Sequence, residues 1–198
     1  MSKPSIQELQ AQLADKIVDR FGSQILQRID FRGDQSLIVP AQAIVEIIRW
    51  TRDVLGFDML VNLCSVDNLG SDPRFEVVYT LSQAEVGTNI TFRVRVNEDE
   101  SVPSISSLFA GANWQEREIW DMMGIPFSDH PDLRRILMWE GYPYHPLRKD
   151  FPVQGIPTEL PGVAFTEAAP IEGGPFSATP NCGGSSQQRE ARSRHKEG

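Results

Sequence analysis

Cysteine is nearly absent from this chain of 198 residues, which contains two. Cys64 lies in an apolar run and Cys182 in a glycine-rich stretch, and no CxxC motif occurs. Four-thiolate iron–sulfur and zinc sites are therefore excluded within this chain alone. A disulfide is not expected either, which favours a reducing compartment.

Long hydrophobic runs and an excess of positive charge are also missing. No segment approaches the roughly 20 apolar residues that span a bilayer, and we expect no signal peptide because the N-terminus lacks an apolar core. If the protein works at a membrane, a partner should hold it there. The formal charge of −8 argues against a nucleic-acid binder, because neutralising phosphates needs clustered lysine and arginine.

Glycine-rich phosphate loops are absent as well, since neither GxGxxG nor GxxxxGK[ST] occurs. No flavin or nicotinamide site can therefore be argued from these residues. The chain does contain 40% hydrophobic residues, enough for one domain with a buried core and a tail.

Hydrophobic periodicity predicts a series of helices and strands. Residues 5–21 form one amphipathic helix, and Pro40 begins a second that Gly56 ends. A third helical region is expected from Val102 to Gly124. The strand candidates are ILQRIDF, SLIVP, MLVNLCSVDNL, FEVVYTLSQ and NITFRVRVN.

The order of these elements predicts an α+β domain. Helices and strands are segregated rather than alternating, which suggests a mixed or antiparallel sheet of four to five strands with helices on one face. We place this core domain at residues 1–124. An extended, proline-rich segment that docks on a partner is expected at 125–169, and the composition of 170–198 predicts a disordered tail.

A run of charged residues, ANWQEREIWDMMG, falls in the predicted third helix. Glu118 and Asp121 are three residues apart and should share a face, while Arg117 and Asp121 have the spacing of an ion pair. Such a carboxylate pair could serve acid–base chemistry or hold a metal. We favour a solvated helix face whose charges, including Glu116, pair with arginines, because short charged helices are common.

Two histidines invite a metal-site interpretation. His130 and His145 each precede a proline and a pair of basic residues, so one half of the stretch nearly repeats the other. A zinc site needs three or four ligands, and the third histidine is His195, in the predicted tail. Asp129 and Asp132 could add oxygens, but the neighbouring prolines disfavour the helix or hairpin that usually presents such ligands.

A catalytic interpretation is no stronger. Ser128 is merely close to His130 in sequence, and no nucleophile-elbow motif occurs. A stand-alone metal-dependent hydrolase would use His130, His145 and the pair Glu118 and Asp121. It is the weaker hypothesis.

Four basic residues, Arg134, Arg135, Arg148 and Lys149, could form an anion site or a docking surface. The planar guanidinium of arginine pairs with carboxylates through two hydrogen bonds. Prolines around these residues limit the entropy lost when the segment is immobilised. An aromatic, arginine-bearing segment suits an interface with another subunit, and docking on its own domain is the alternative.

The whole stretch resembles the signature of the 30 kDa subunit family of respiratory complex I, known in bacteria as the C subunit of NADH-quinone oxidoreductase. The residues that carry this resemblance are Glu116, Arg117, Glu118, Asp121, His130, Arg134 and Arg135. The sequence HPLRKDFP is similar to the second hallmark of the family and contains His145, Arg148, Lys149 and Asp150. The resemblance covers about residues 5–165.

This resemblance implies a cofactor-free, non-catalytic peripheral-arm subunit of proton-translocating NADH:quinone oxidoreductase. Electrons would pass from NADH through FMN and iron–sulfur clusters to quinone in partner subunits. The chain would scaffold the D subunit, which is of the 49 kDa type, beside subunits B, I and G, at the cytoplasmic face of the cell membrane. The signature residues would then form a subunit interface. A membrane-bound hydrogenase-type complex with the same module is the alternative.

Overall fold

Three α-helices and seven strands occur in residues 6–156, which are the residues that the computed structural model describes. The first compact unit ends at Met138, the second begins at Trp139, and every described helix and strand lies in the first. The predicted tail at 170–198 lies outside the described residues. The elements are α1 (Ile6–Phe21), β1 (Gln27–Phe31), β2 (Asp34–Ile38), α2 (Ile44–Leu55), β3 (Met59–Asp67), β4 (Phe75–Gln83), β5 (Thr88–Val96), β6 (Val102–Pro103), α3 (Ala112–Met123) and β7 (Phe127–Ser128).

Five of the strands form one mixed sheet in the order β1-β2-β5-β4-β3. The neighbours β2 and β5 run parallel, and the other pairs are antiparallel. The strands β6 and β7 form a separate parallel pair. The predicted α+β class with a mixed sheet is confirmed.

Buried and more exposed side chains alternate along the central strands β4 and β5, so the sheet has a helix-covered face and an open face. The inward residues of β4 and β5 are buried in one apolar cluster that also takes residues from all three helices, so the helices cover one face as expected. The open face is polar at its centre, where Glu76 pairs with Arg93 at 2.8 Å and Arg95 at 3.2 Å. The inward set is Phe75, Val77, Tyr79, Leu81, Ile90, Phe92, Val94 and Val96.

The third helix is shorter than the sequence predicts, because it begins at Ala112 rather than near Val102. Val102 instead enters β6, and turns occupy the residues between. The backbone N–H of Ile105 donates to the carboxylate of Glu116 at 2.7 Å. This contact fixes the backbone of Ile105 in the turn region before the helix.

The first compact unit also continues past Gly124, where the sequence places the end of the core domain. Residues 125–138 belong to this unit, because the loop before Met138 is bonded to helix α3 by the contacts described below. The second unit begins at Trp139, and a chain of aromatic contacts organises it. Ring centroids are 4.5 Å apart between Trp139 and Tyr142, and 5.7 Å apart between Tyr142 and Tyr144.

The two glycines that flank α3 should respond in opposite ways to alanine. Gly124 has φ +78°, a left-handed conformation, so Gly124→Ala should lower the free energy of unfolding by about 1 kcal/mol. Gly111 has a helical φ of −63°, and a Cβ added there would meet no atom within 4 Å, so Gly111→Ala should raise it by about 0.5 kcal/mol. Urea unfolding of both variants measures the contrast, and equal effects would contradict the role of Gly124.

Candidate functional site

Three charged side chains of α3 are buried, which is unusual because a buried charge is costly without partners. Glu116 and Asp121 are 0% exposed and Arg117 is 6% exposed. The loop that follows the helix, residues 129–138, supplies most of their partners. Together these contacts form what we call the α3 clamp, made of Glu116, Arg117, Asp121, His130 and Arg135.

Asp121 holds the end of the loop. Its Oδ2 accepts hydrogen bonds from the backbone N–H groups of Ile136, Leu137 and Met138 at 3.0, 2.8 and 2.9 Å. Its Oδ1 accepts a hydrogen bond from Nη1 of Arg135 at 2.5 Å. Burial alone would raise the pKa of Asp121, but these donors outweigh it and lower the pKa below its ordinary value.

Arg117 holds the middle of the loop. Its Nε donates to the carbonyl oxygen of Arg134 and its Nη2 to that of Arg135, both at 3.1 Å. The guanidinium also lies 5.1 Å from the ring centroid of Trp114, a cation–π distance. The structure gives Arg135 as the ion-pair partner of Asp121, a partner that the helical spacing did not predict.

Glu116 and His130 hold the start of the loop. Ser104 donates a hydrogen bond to Oε2 of Glu116 at 2.6 Å, and Nε2 of the buried His130 lies 3.7 Å from the same oxygen. Nδ1 of His130 accepts a hydrogen bond from the backbone N–H of Asp132 at 3.1 Å, and its Nε2 lies 3.2 Å from the carbonyl oxygen of Asn113. Burial raises the pKa of Glu116 despite the opposing effects of Ser104, Ile105 and His130.

The structure separates residues that the sequence places together. Asp121 is buried, whereas Glu118 is exposed, so the alternative of a carboxylate pair on one face does not hold. The favoured prediction of a solvated helix face is also wrong, because Glu116, Arg117 and Asp121 are buried and only Glu118 of these four faces water. Three residues span about 300° of helix, so the two side chains point about 60° apart, enough to put them on opposite sides of the burial boundary. Arg134 is also separate from Arg135, because its side chain is 70% exposed and pairs with Asp132 at 2.9 Å.

The remaining predicted site residues lie in the second unit. His145 accepts the backbone N–H of Arg148 at 3.2 Å through its carbonyl oxygen, which forms a turn. Lys149 and Asp150 are exposed. Their assignment to a subunit interface stays a prediction.

Sequence reasoning missed three residues of this region. Ser104 reaches Glu116 only through the fold. Trp114 is 61% exposed and Leu137 is 62% exposed, both beside the clamp. The stacking of arginine on tryptophan was the available signal, since Trp114 and Arg117 are three residues apart on a helix.

The geometry does not support the hydrolase hypothesis. Asp121 is occupied by Arg135 and backbone donors, His130 is buried against the helix, and Glu118 points elsewhere. Among residues 6–156, no group of three or more His, Cys, Asp or Glu side chains could hold a metal ion. In the same residues, no helix is long and apolar enough to cross a membrane.

The fold and the clamp define a class of small α+β protein in which a charged motif fastens a loop to a helix. Comparison with known proteins identifies it further. The family described as "Respiratory-chain NADH dehydrogenase, 30 Kd subunit" matches residues 37–157, so the chain belongs to that family.

Relatives that are named as the C subunit of NADH-quinone oxidoreductase are similar in sequence. The protein of Roseiflexus is 50% identical over 65% of this chain and 76% of its own length. That of Geotalea uraniireducens is 40% identical over 71% and 86%. That of Paramagnetospirillum magneticum is 46% identical over 62% of this chain and 63% of its own length, so the match spans less than two thirds of that relative.

Two solved structures share the fold. The trypsin-resistant fragment of Nqo5 is 28% identical with a TM-score of 0.55, and the match covers 62% of this chain and 98% of the fragment. A chain of the archaeal membrane-bound sulfane sulfur reductase has a TM-score of 0.62 at 21% identity, covering 72% and 85%. The second likeness shows the fold alone.

Asp121→Asn should lower the free energy of unfolding by about 3 kcal/mol, because the amide leaves Arg135 without its ion-pair partner in a buried site. Glu118→Gln, on the exposed side of the same helix, is the matched control and should change it by less than about 0.5 kcal/mol. Urea unfolding measures both. Similar small losses in the two variants would contradict the clamp.

Glu116 and Asp121 should give opposite pH dependences of the free energy of unfolding. The pKa of Glu116 is raised from 4.5. Its stabilising contribution to the free energy of unfolding is therefore present below pH 4.5 and is lost as the pH rises through the raised pKa. The pKa of Asp121 is lowered from 3.8, so its contribution is present above 3.8 and is lost as the pH falls through the lowered pKa.

Urea titrations from about pH 3 to about pH 8 check this expectation. The difference in unfolding free energy between the wild type and Glu116→Gln should decrease as the pH rises. The difference between the wild type and Asp121→Asn should decrease as the pH falls. Parallel curves for the wild type and Glu116→Gln would show that Glu116 titrates normally in the folded chain.

Proposed function

We propose that this chain is a cofactor-free scaffold subunit of proton-translocating NADH:quinone oxidoreductase. It docks on the D subunit, which helps to form the quinone site, at the cytoplasmic face of the membrane, beside subunits B, I and G. Flavin, iron–sulfur clusters and quinone belong to those partners. The observation that carries the proposal is the family match over residues 37–157.

The clamp supports a scaffolding role. Glu116, Arg117 and Asp121 form their hydrogen bonds within the chain itself. Glu116 binds Ser104, before the helix, and Arg117 and Asp121 bind Arg134 and Met138 of the loop, among others. A catalytic acid, base or ligand needs access to a substrate. Groups committed in this way are instead suited to holding one surface in a fixed shape.

That surface is the outer side of the clamp. Trp114 and Arg134 both contact the guanidinium of Arg117, the first through its ring and the second through its carbonyl oxygen. Leu137 follows on the loop and Glu118 lies one turn along the helix from Trp114. Exposed tryptophan and arginine beside leucine are the composition of a protein interface.

Purification of the tagged full chain from its host's membranes tests the proposal. The chain should co-purify with the D subunit and the other peripheral-arm subunits. When it is produced alone, its spectrum should show no flavin or iron–sulfur absorbance. A chain that binds flavin or iron alone, or that never accompanies the D subunit, contradicts the proposal.

The docking surface predicts a residue-specific effect on assembly. Arg134→Glu should lower the amount of chain in the assembled complex by about fivefold, because an exposed interfacial arginine meets carboxylates of the partner. Arg32→Glu, in the exposed turn between β1 and β2, carries the same charge change and should assemble normally. Blue-native electrophoresis with antibody detection measures both.

Arg134 is a better residue for this test than its neighbour Arg135. Arg135 is bonded to Asp121, so reversal of its charge would unfold the clamp rather than report on docking. Equal assembly of Arg134→Glu and Arg32→Glu would remove Arg134 from the interface. A membrane-bound hydrogenase-type complex is the second candidate, and the genes beside this one decide between the two.

A further inference from the structure

The two edges of the five-stranded sheet differ in a way that the scaffold role does not explain. At one edge, β1 has five residues, QRIDF, of which Arg28 and Asp30 are charged. Arg28 also pairs with Asp15 at 2.5 Å and bonds Gln35 at 2.8 Å. Short, charged edge strands of this kind resist pairing with other chains.

The other edge, β3, has none of these protections. It is nine residues long, and Met59–Val66 contains no charged residue, lysine or proline. Met59, Val61 and Val66 are 50%, 43% and 41% exposed. In the part of the chain that the structure describes, β4 is the only strand that pairs with β3.

The single irregularity of β3 leaves most of the edge usable. The register with β4 shifts between Leu60 and Asn62, which makes Val61 the extra residue of a bulge. From Asn62 to Asp67 the register is continuous. That length is close to that of an average strand, about five to six residues, so it offers a full ladder of backbone groups to one more strand.

We propose that β3 receives an extended strand from another polypeptide chain and so enlarges the sheet to six strands. Water hydrogen-bonds the outward N–H and C=O groups of an edge strand, and an added strand can replace that water with a regular ladder of hydrogen bonds. The apolar side chains of Met59, Val61 and Val66 would contact alternate residues of that strand. The inference rests on the proposed function only in naming another subunit as its source.

Charge favours a different protein over a second copy of this chain. Each copy carries a net charge of −8, so two copies repel. The exposed Asp58 immediately precedes β3, whereas Asp67 at the other end is neutralised by Arg74 at 2.8 Å. The incoming strand therefore has an uncharged centre and a lysine or arginine at the end that lies beside Asp58.

Hydrogen exchange on wild-type protein is the first test. Peptides covering Met59–Val66 are compared between the chain produced alone and the same full chain in the assembly purified from its host's membranes. About half of the amides in an edge strand point outward, and these should exchange about tenfold more slowly in the assembly. The β1 residues Gln27–Phe31 should exchange equally in both.

Matched substitutions are the second test. Val66→Lys should reduce the assembled chain about fivefold, because Val66 lies in the continuous part of the edge and a lysine there opposes strand addition. Val86→Lys is the control, since Val86 is a valine of similar exposure, 43% against 41%, in the turn between β4 and β5. Thermal unfolding of each isolated variant verifies its fold, and Val61→Lys replaces Val66→Lys should the latter not fold.

The outcomes separate this inference from the proposed function. Protection of Met59–Val66 in an assembly containing the D subunit supports both. Assembly without that protection overturns the strand addition alone, whereas protection by subunits of an unrelated complex overturns the proposed function alone. A chain that purifies alone, or a homodimer that Val66→Lys dissociates in sedimentation, overturns the strand addition from another protein.

Discussion

The region between α3 and Met138 depends on the contacts of one buried carboxylate, that of Asp121. One of its oxygens gathers three successive backbone N–H groups, from Ile136, Leu137 and Met138, and the other binds Arg135. Such a site is stable because the donors replace the water that the carboxylate loses on burial. These contacts therefore fasten the end of the loop to the helix.

The two other buried charged residues of α3 make similar contacts at other points. Arg117 binds two carbonyl oxygens, and Glu116 joins Ser104 to the region of His130. A buried charge left without its partner is far more destabilising than an exposed one. These residues consequently act as a unit, and they leave Trp114 and Arg134 as the groups that a partner can contact.

Periodicity predicted the fold well where each element depends on its own residues. The alternation in β5 and the stop at Gly56 determined the corresponding elements, since burial on one face and a left-handed cap are local properties. The predicted start of α3 was wrong, because Val102 pairs with Phe127 in β6 and β7, which are distant in sequence, and turns fill the residues before Ala112. The end of the compact unit differs for a similar reason, since Asp121 recruits residues beyond Gly124.

The sequence by itself determined the class of fold and the family. The fold class follows from hydrophobic periodicity, and the family follows from the spacing of the signature residues. The sequence also placed the charged residues of the site on one helix and one loop. Only the tertiary structure decided which of those charges are buried and which are exposed. Helical spacing does not distinguish Glu118 from Asp121, but the loop covers Asp121 and leaves Glu118 exposed to water. A buried charge must bind groups of its own chain, whereas an exposed charge can bind a partner.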